Sequence, residues 1–162
     1  VAIAGLAAYE APLAVLLAAT MLGYLAWNWA PARVMMGDAG SIPLGFLLGW
    51  MMLDLSVRGF LLAALILPLV FCVDATYTLV ARMLRGKLPY QAHREHFYQR
   101  AALGCGSHAT VVSGVILANL GLVLAALLSL RSPMAALAAA GIVAATLFIW
   151  LRWLAAAAAK PA

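Results

Sequence analysis

Charged residues are scarce in this chain: Asp, Glu, Lys and Arg make up only 9% of its 162 residues, whereas 67% are apolar. Its mean hydropathy of +1.06 is far above that of a soluble domain and predicts a multi-span helical membrane protein. The apolar runs are continuous rather than alternating, which excludes a transmembrane barrel. The net charge of +5 comes from basic residues at segment ends and in one loop, so it does not indicate nucleic-acid binding.

Acidic residues and cysteines are rarer still. Five Asp and Glu residues are spread along the chain, and no two of them are adjacent. Cys72 falls in an apolar run and Cys105 in a basic loop, a distribution that excludes a disulfide framework and favours two reduced thiols. The chemistry of the protein must therefore come from a few polar residues, and most of these lie in two loops.

Five apolar stretches are predicted to be membrane spans, so the expected fold is all-α: a polytopic helical membrane protein forming a single transmembrane domain over residues 1–162. Pro68 should kink the third span. Tight turns are expected at Val57–Gly59 and Arg131–Pro133, and a long polar loop with an amphipathic segment at Arg82–His108. The predicted spans are Leu13–Trp27, Ile42–Leu55, Phe60–Ala81, Thr110–Leu130 and Met134–Leu154.

The distribution of basic residues predicts the orientation in the membrane. The loop Arg82–His108 holds five of the ten Lys and Arg residues, so it is expected to be cytoplasmic. The loop Asn28–Ser41 is two spans away and falls on the same side, as does Arg152, whereas Arg131 falls outside. The two polar loops could therefore form one site for an anionic substrate.

The first loop, Asn28–Ser41, places Asp38 between two glycines, Gly37 and Gly40. The glycines allow the backbone to bend closely around a ligand of the carboxylate. A single carboxylate at a water–membrane boundary suits Mg²⁺, which binds one or two carboxylates together with substrate phosphates. Ser41 could cap the next helix, whose N-terminus attracts phosphate. An ordinary turn followed by a helix cap is the alternative interpretation.

The second loop contains all three histidines of the chain, His93, His96 and His108. On a helix, His93, His96 and Arg100 would share one face, and His and Arg together suit a diphosphate. The spacing does not favour zinc, because no cysteine or third ligand lies at a suitable distance along the chain. The alternative is a basic amphipathic segment that lies on anionic lipid headgroups.

The run from Asn28 to Gly45, N-W-A-P-A-R-V-M-M-G-D-A-G-S-I-P-L-G, resembles the motif of polyprenyl-phosphate N-acetylhexosamine-1-phosphate transferases. These are the glycosyltransferase family 4 enzymes related to the phospho-MurNAc-pentapeptide translocase. The segment from Pro68 to Arg100 resembles the later part of these enzymes, which ends in a His-rich cytoplasmic loop. The variant H-R-E-H-F-Y-Q-R, followed by Gly-Ser-His, is similar to the branch that makes O-antigen and other surface glycans.

The resemblance implies a reaction at a bacterial inner membrane. A UDP-N-acetylhexosamine would give its sugar-1-phosphate to undecaprenyl phosphate and release UMP, with Mg²⁺, or alternatively Mn²⁺, as cofactor. Asp38 matches the family residue that binds the metal or acts directly in catalysis. Membrane lipid is a further expected partner, nucleic acid is not, and a homodimer is left open. The expected substrate-binding residues are Asn28, Ser41, His93, Arg94, His96 and Arg100.

The chain also departs from the family pattern. Arg33 replaces a Lys, Tyr98 and Gln99 stand where many relatives have His-His, and His93 stands where an Asp is common. The adjacent Asp pair and the Asn- and Asp-rich motif of the earlier family loops are absent, so the chain is expected to be the C-terminal part of a longer enzyme. Asp74 matches a family acid, although an ion pair with a nearby Arg would explain it equally well. A non-catalytic membrane protein whose basic loop binds anionic lipid is the alternative function.

Overall fold

The computed structural model describes residues 2–29, 32–86 and 96–157, with side chains from residue 12 to residue 156 within these ranges. Every regular element in these ranges is helical, so the predicted all-α class is confirmed. The helices are α1 Ala2–Asn28, α2 Gly37–Leu55, α3 Leu61–Ile66, α4 Leu69–Leu84, α5 Phe97–Cys105, α6 His108–Leu128 and α7 Pro133–Ala157.

Three stretches of the described chain are long and apolar enough to cross a membrane, compared with the five predicted. They are Gly37–Ile66, His108–Leu128 and Pro133–Ala156, and Pro12–Asn28 is a shorter apolar helix. Many large apolar side chains on these helices are exposed, as expected for surfaces that face lipid rather than water.

The difference in count arises at the predicted first and third spans: the first corresponds to the shorter helix Pro12–Asn28, and the third is divided near Pro68. Pro68 does more than kink it: the helix ends at Ile66 and a new one begins at Leu69, because proline cannot donate the helical hydrogen bond. The expected tight turn at Val57–Gly59 is instead a wide helical turn, Ser56–Phe60. Gly59 has a φ of 92° there, a conformation that residues with a Cβ rarely adopt.

The chain forms two compact units, residues 1–54 and residues 55–162. The first contains α1, nearly all of α2 and the loop between them. The second contains α3 to α7, and in it α7 packs most extensively against α5 and α6. The two predicted site loops thus belong to different units, and their meeting in one site stays a prediction.

The core of the second unit is built from small residues. Ala118, Ala125 and Ala126 on α6 are buried, as are Ala136 and Ala140 on α7. Small side chains allow helices to approach closely where lipid surrounds them, because van der Waals packing then replaces the hydrophobic effect. This packing places α7 beside α6, and the C-terminal part of α7 packs against α5.

Gly104 on α5 marks the closest approach to α7. A Cβ at this position would collide with the backbone of Leu154 and Ala155, whereas a Cβ at Gly141 on α7 would meet nothing within 4 Å. We expect Gly104→Ala to destabilise the protein by about 1–3 kcal/mol, because two backbones must separate to accommodate it. Thermal unfolding in detergent measures the change, with Gly141→Ala as the matched control. Equal stability of the two variants would contradict this packing.

Candidate functional site

The first loop is tied back to the end of α1. Asn28 donates its side-chain amide to the carbonyl of Val34 at 2.8 Å, and the backbone N–H of Arg33 donates to the carbonyl of Trp27 at 2.9 Å. Tyr24 also reaches the Val34 carbonyl with its hydroxyl, at 3.4 Å. In the described structure Asn28 therefore shapes the loop that precedes Asp38, and its predicted contact with substrate stays a prediction.

Asp38 lies in the first turn of α2 and is exposed. Gly37 begins the helix with a φ of 58°, so the turn from the loop into α2 requires a residue that tolerates left-handed backbone. The positive end of the helix dipole stabilises a carboxylate at this position. The Gly-Asp pair thus has a clear geometric basis: glycine makes the turn, and the aspartate emerges at the tip of α2.

Ser41 differs from its predicted place. The helix begins at Gly37 rather than after Ser41, so Ser41 is an exposed residue of the second turn of α2 and not its cap. The physical reason is that Gly37 supplies the change of backbone direction four residues earlier. Any role of Ser41 with substrate must come from its position one turn beyond Asp38 on the same helix.

The residues around Asp38 fit Mg²⁺ only as a partial site. Within the described residues, no group of three or more His, Cys, Asp or Glu side chains is arranged to hold a metal. Mg²⁺ usually keeps several waters and takes one or two carboxylates together with substrate phosphates. The exposed carboxylate of Asp38 could therefore supply one protein ligand to Mg²⁺, with water and substrate phosphates as the other ligands.

In the second loop, α5 begins at Phe97, and His96 precedes it with extended backbone (φ −61°, ψ 148°). His96 is therefore the residue that caps the helix, and it does not share a helical face with Arg100 as the sequence predicted. His93 and Arg94 lie outside the described residues, so the predicted role of these two side chains stays a prediction. His108 begins α6, where the Ser107 hydroxyl accepts the N–H of Thr110 at 3.2 Å.

Asp74 explains why α5 begins where it does. Its Oδ1 accepts the backbone N–H of Phe97 at 3.1 Å, one of the first N–H groups of α5, which have no partner within the helix. Its Oδ2 lies 3.4 Å from Nδ1 of His96, and Thr78 donates to Oδ1 at 3.3 Å. The Asp74 carboxylate thus faces the His96 ring, and an ion pair with a nearby arginine stays a prediction.

Asp74 is part of a polar face of α4 that points into the protein. Asp74, Thr78 and Arg82 lie one turn apart and are only 7%, 4% and 3% exposed. Charged residues within a helical membrane protein are expensive to bury and usually line a functional interior. The exposed side of the same helix is apolar, with Phe71 and Val80 facing outward.

Aromatic rings hold the start of α5 in place. Phe97 packs against Tyr77 of α4 at a centroid distance of 5.0 Å and against Phe148 of α7 at 5.1 Å. The His96 ring is stacked on Tyr98 at 5.7 Å. Carboxylate and aromatic contacts together fix His96 between α4 and α5, which is the geometry required of a residue that must meet a substrate in one orientation.

Arg100 lines a basic cavity of about 630 Å³, formed where α4, α5 and α7 meet. Arg85, which caps the end of α4, and Arg152, near the end of α7, line the same cavity. Neither was predicted as a site residue. The signal that could have found them was the expected cytoplasmic position of both, although sequence alone does not show that they meet.

A second, apolar cavity of about 180 Å³ is lined by α4, α5, α6 and α7, and Asp74 and Tyr98 are the polar residues of its lining. Val70, Val111 and Leu151 contribute to its walls. An apolar space that ends at a carboxylate and a phenol can accept a ligand with a hydrocarbon chain and a polar end. The buried Asp74 therefore contacts both this apolar cavity and the start of α5.

Comparison with known proteins identifies relatives. The family described as Glycosyl transferase family 4 matches residues 1–56. A phospho-N-acetylmuramoyl-pentapeptide-transferase of Mycobacteroides abscessus is 32% identical over 129 residues, which cover 67% of this chain and 36% of that protein. A probable undecaprenyl-phosphate N-acetylglucosaminyl 1-phosphate transferase of Bacillus subtilis is 29% identical over 93 residues, covering 54% and 26%.

The chain thus spans about a third of the first relative's length and about a quarter of the second's. No solved structure matches the chain significantly. The family match includes Asp38 and the whole of the first loop, and the longer alignment covers two thirds of the chain. Together with the motif around Asp38, these matches place the chain in glycosyl transferase family 4.

Proposed function

We propose that the protein containing this chain transfers N-acetylhexosamine-1-phosphate from a UDP-sugar to undecaprenyl phosphate at the bacterial inner membrane. An oxygen of the lipid phosphate attacks the sugar-bearing phosphorus, and the bond between that phosphorus and the bridging oxygen of the diphosphate breaks, so that the bridging oxygen stays with UMP. UMP leaves with the bonding electrons, and the product is an undecaprenyl diphosphate sugar. The relatives' printed names, one specifying undecaprenyl phosphate and both a transferase, support this reaction.

One observation carries the proposal within this chain: a buried carboxylate, Asp74, orients His96 and begins α5. A loop that only lies on lipid headgroups would need exposed basic residues and no such buried polar arrangement. Phosphoryl transfer, by contrast, depends on positioning and on neutralising charge, so a rigidly held histidine suits it.

The residues divide the work in the proposed reaction. Asp38 either holds Mg²⁺ or acts directly on the reacting groups, and His96 and Arg100 bind the diphosphate of the donor. The metal, when bound, would neutralise charge that develops on the phosphate oxygens. The apolar cavity beside Asp74 is suited to an isoprenoid segment of the acceptor, because hydrocarbon fits its walls.

The orientation proposed for the enzyme places both polar loops in the cytoplasm, where nucleotide sugars are available. Arg85, Arg100 and Arg152 lining one cavity support a common side for the second loop and the end of α7. The loop variant around His96 favours a role in surface-glycan assembly, O-antigen being one such glycan. We also propose that the two loops together form one substrate site, and that the enzyme can assemble as a homodimer.

The test is direct. Membranes that contain the natural full-length protein are supplied with undecaprenyl phosphate and a panel of UDP-N-acetylhexosamines, and UMP and lipid-linked sugar are measured by mass spectrometry. We expect equal amounts of UMP and lipid product with at least one donor. Salt-sensitive binding to anionic lipid, without UMP release from any donor, would refute transfer and favour the non-catalytic lipid-binding alternative.

A further inference from the structure

The basic cavity gathers three arginines from three separate parts of the chain. Arg85 follows α4, Arg100 lies on α5, and Arg152 is in the second-last turn of α7. No Asp or Glu belongs to the lining formed by the described residues. Such convergence is not a consequence of helix packing alone, since arginines repel one another and are costly to hold together near a membrane.

The C-terminal ends of two helices offset part of the positive charge of the three arginines, but not all of it. α4 and α7 both terminate beside the cavity, and each C-terminal end carries about half a negative charge, which attracts cations. Two such ends amount to roughly one negative charge, compared with three guanidinium groups. Arg85 also has an interaction within the protein, so the binding of a ligand in this cavity would depend mainly on Arg100 and Arg152.

The size and the walls of the cavity suit a ligand larger than a simple ion. A volume of about 630 Å³ lies within the range of sites that bind small molecules and lipid headgroups. Tyr77 and Phe97 contribute aromatic walls, and Ala155 and Ala156 contribute small side chains that leave room for a ligand. Guanidinium groups bind phosphate oxygens through two parallel hydrogen bonds, so phosphate is the ligand that this lining fits.

We propose that Arg85, Arg100 and Arg152 together form a binding site for a phosphate-bearing ligand. The ligand is either the headgroup of an anionic phospholipid or a soluble diphosphate of the kind found in a nucleotide sugar. The nucleotide-sugar identity rests on the proposed transfer reaction. The phospholipid identity does not, because a headgroup could bind here whether or not the protein catalyses transfer. Arg152 brings α7 into this site, a helix to which the sequence assigned no functional residue.

Two arginines at opposite ends of one helix provide a matched test. Arg152 is exposed and lines the cavity, whereas Arg131 is exposed in the turn that precedes α7, about 30 Å away along the helix. Either Arg152→Gln or Arg131→Gln removes one positive charge, but only the first alters the proposed site. Calorimetry measures binding of inorganic diphosphate to the full-length protein in phosphatidylcholine nanodiscs, and repeats it with phosphatidylglycerol present.

We expect Arg152→Gln to weaken diphosphate binding about tenfold, the value of one charge-assisted hydrogen bond, and Arg131→Gln to leave it unchanged. Loss of diphosphate binding when phosphatidylglycerol is present identifies a lipid headgroup as the ligand, and unchanged binding identifies a soluble one. Equal weakening by both variants, no weakening by Arg152→Gln, or no binding to the wild type would overturn the proposal. Arg152→Lys, which keeps the charge, verifies that the loss does not come from misfolding.

Discussion

Replacement of Asp38 by Asn is expected to lower the rate of sugar-1-phosphate transfer by about 1,000-fold, with little effect on folding. The carboxylate is exposed at the first turn of α2, so its loss removes a helix-dipole interaction worth only about 0.3–1 kcal/mol. An amide has nearly the same shape but no charge, and it can neither bind Mg²⁺ strongly nor accept a proton. The rate of UMP release by the full-length protein, normalised to its amount in the membrane, measures the effect.

Asp54 offers a control on the same helix. It lies 16 positions beyond Asp38, at the other end of α2 and about 24 Å away, and Asp54→Asn makes the same chemical change. We expect Asp54→Asn to retain most of the wild-type rate. If Asp38→Asn also retains it, Asp38 has no part in the mechanism, whether as metal ligand or as catalytic group.

The second large effect is expected at Asp74, which acts on the reaction through His96. In Asp74→Asn the amide oxygen can still accept the N–H of Phe97, so α5 should still begin at the same residue. The charge that orients His96 is lost, and we expect transfer to slow by about 10- to 100-fold, as when a residue behind a functional group is removed. The loss of a buried hydrogen-bonding charge should also destabilise the protein by about 1–3 kcal/mol.

A double-mutant cycle separates positioning from stability. His96→Gln is expected to slow transfer to the level of Asp74→Asn. The double variant should be no slower than either single variant, because each substitution already disables the same Asp74–His96 pair. Thr78→Val, which removes only a weak partner of Asp74 at 3.3 Å, serves as the mild control. A normal rate in His96→Gln, combined with a slow rate in Asp74→Asn, would show that Asp74 does not act through His96.

Apolar runs, prolines and glycines predicted much of the fold, because their effects on the backbone depend mainly on neighbouring residues in the chain. Continuous apolar runs predicted α6 and α7 to within two or three residues, since a membrane helix must satisfy its own backbone. Pro68 was predicted to kink the third span but not to end a helix. The sequence does not distinguish the two, because a helix continues through a proline only where neighbouring groups support the chain on both sides. Gly37, rather than Ser41, begins α2, since a glycine in left-handed backbone can turn the chain without a side-chain cap.

The sequence could name candidate residues but could not show which of them meet. Asp38, His96 and Arg100 were identified from motifs, and the structure places His96 and Arg100 in different surroundings. His96 leaves the helical register because Asp74, 23 residues before Phe97, accepts the first free N–H of α5. Arg152 joins Arg100 although 52 residues separate them along the chain.

The sequence by itself determined that this is a helical membrane protein of glycosyl transferase family 4 with an aspartate in a glycine-flanked motif before an apolar span. Composition, apolar runs and the motif around Asp38 are properties of neighbouring residues, so they need no knowledge of packing. Only the tertiary structure decided that Asp74 holds His96 and that three arginines line one cavity. Those contacts depend on how α4, α5 and α7 pack, and the close approach at Gly104 that sets this packing is visible only in three dimensions.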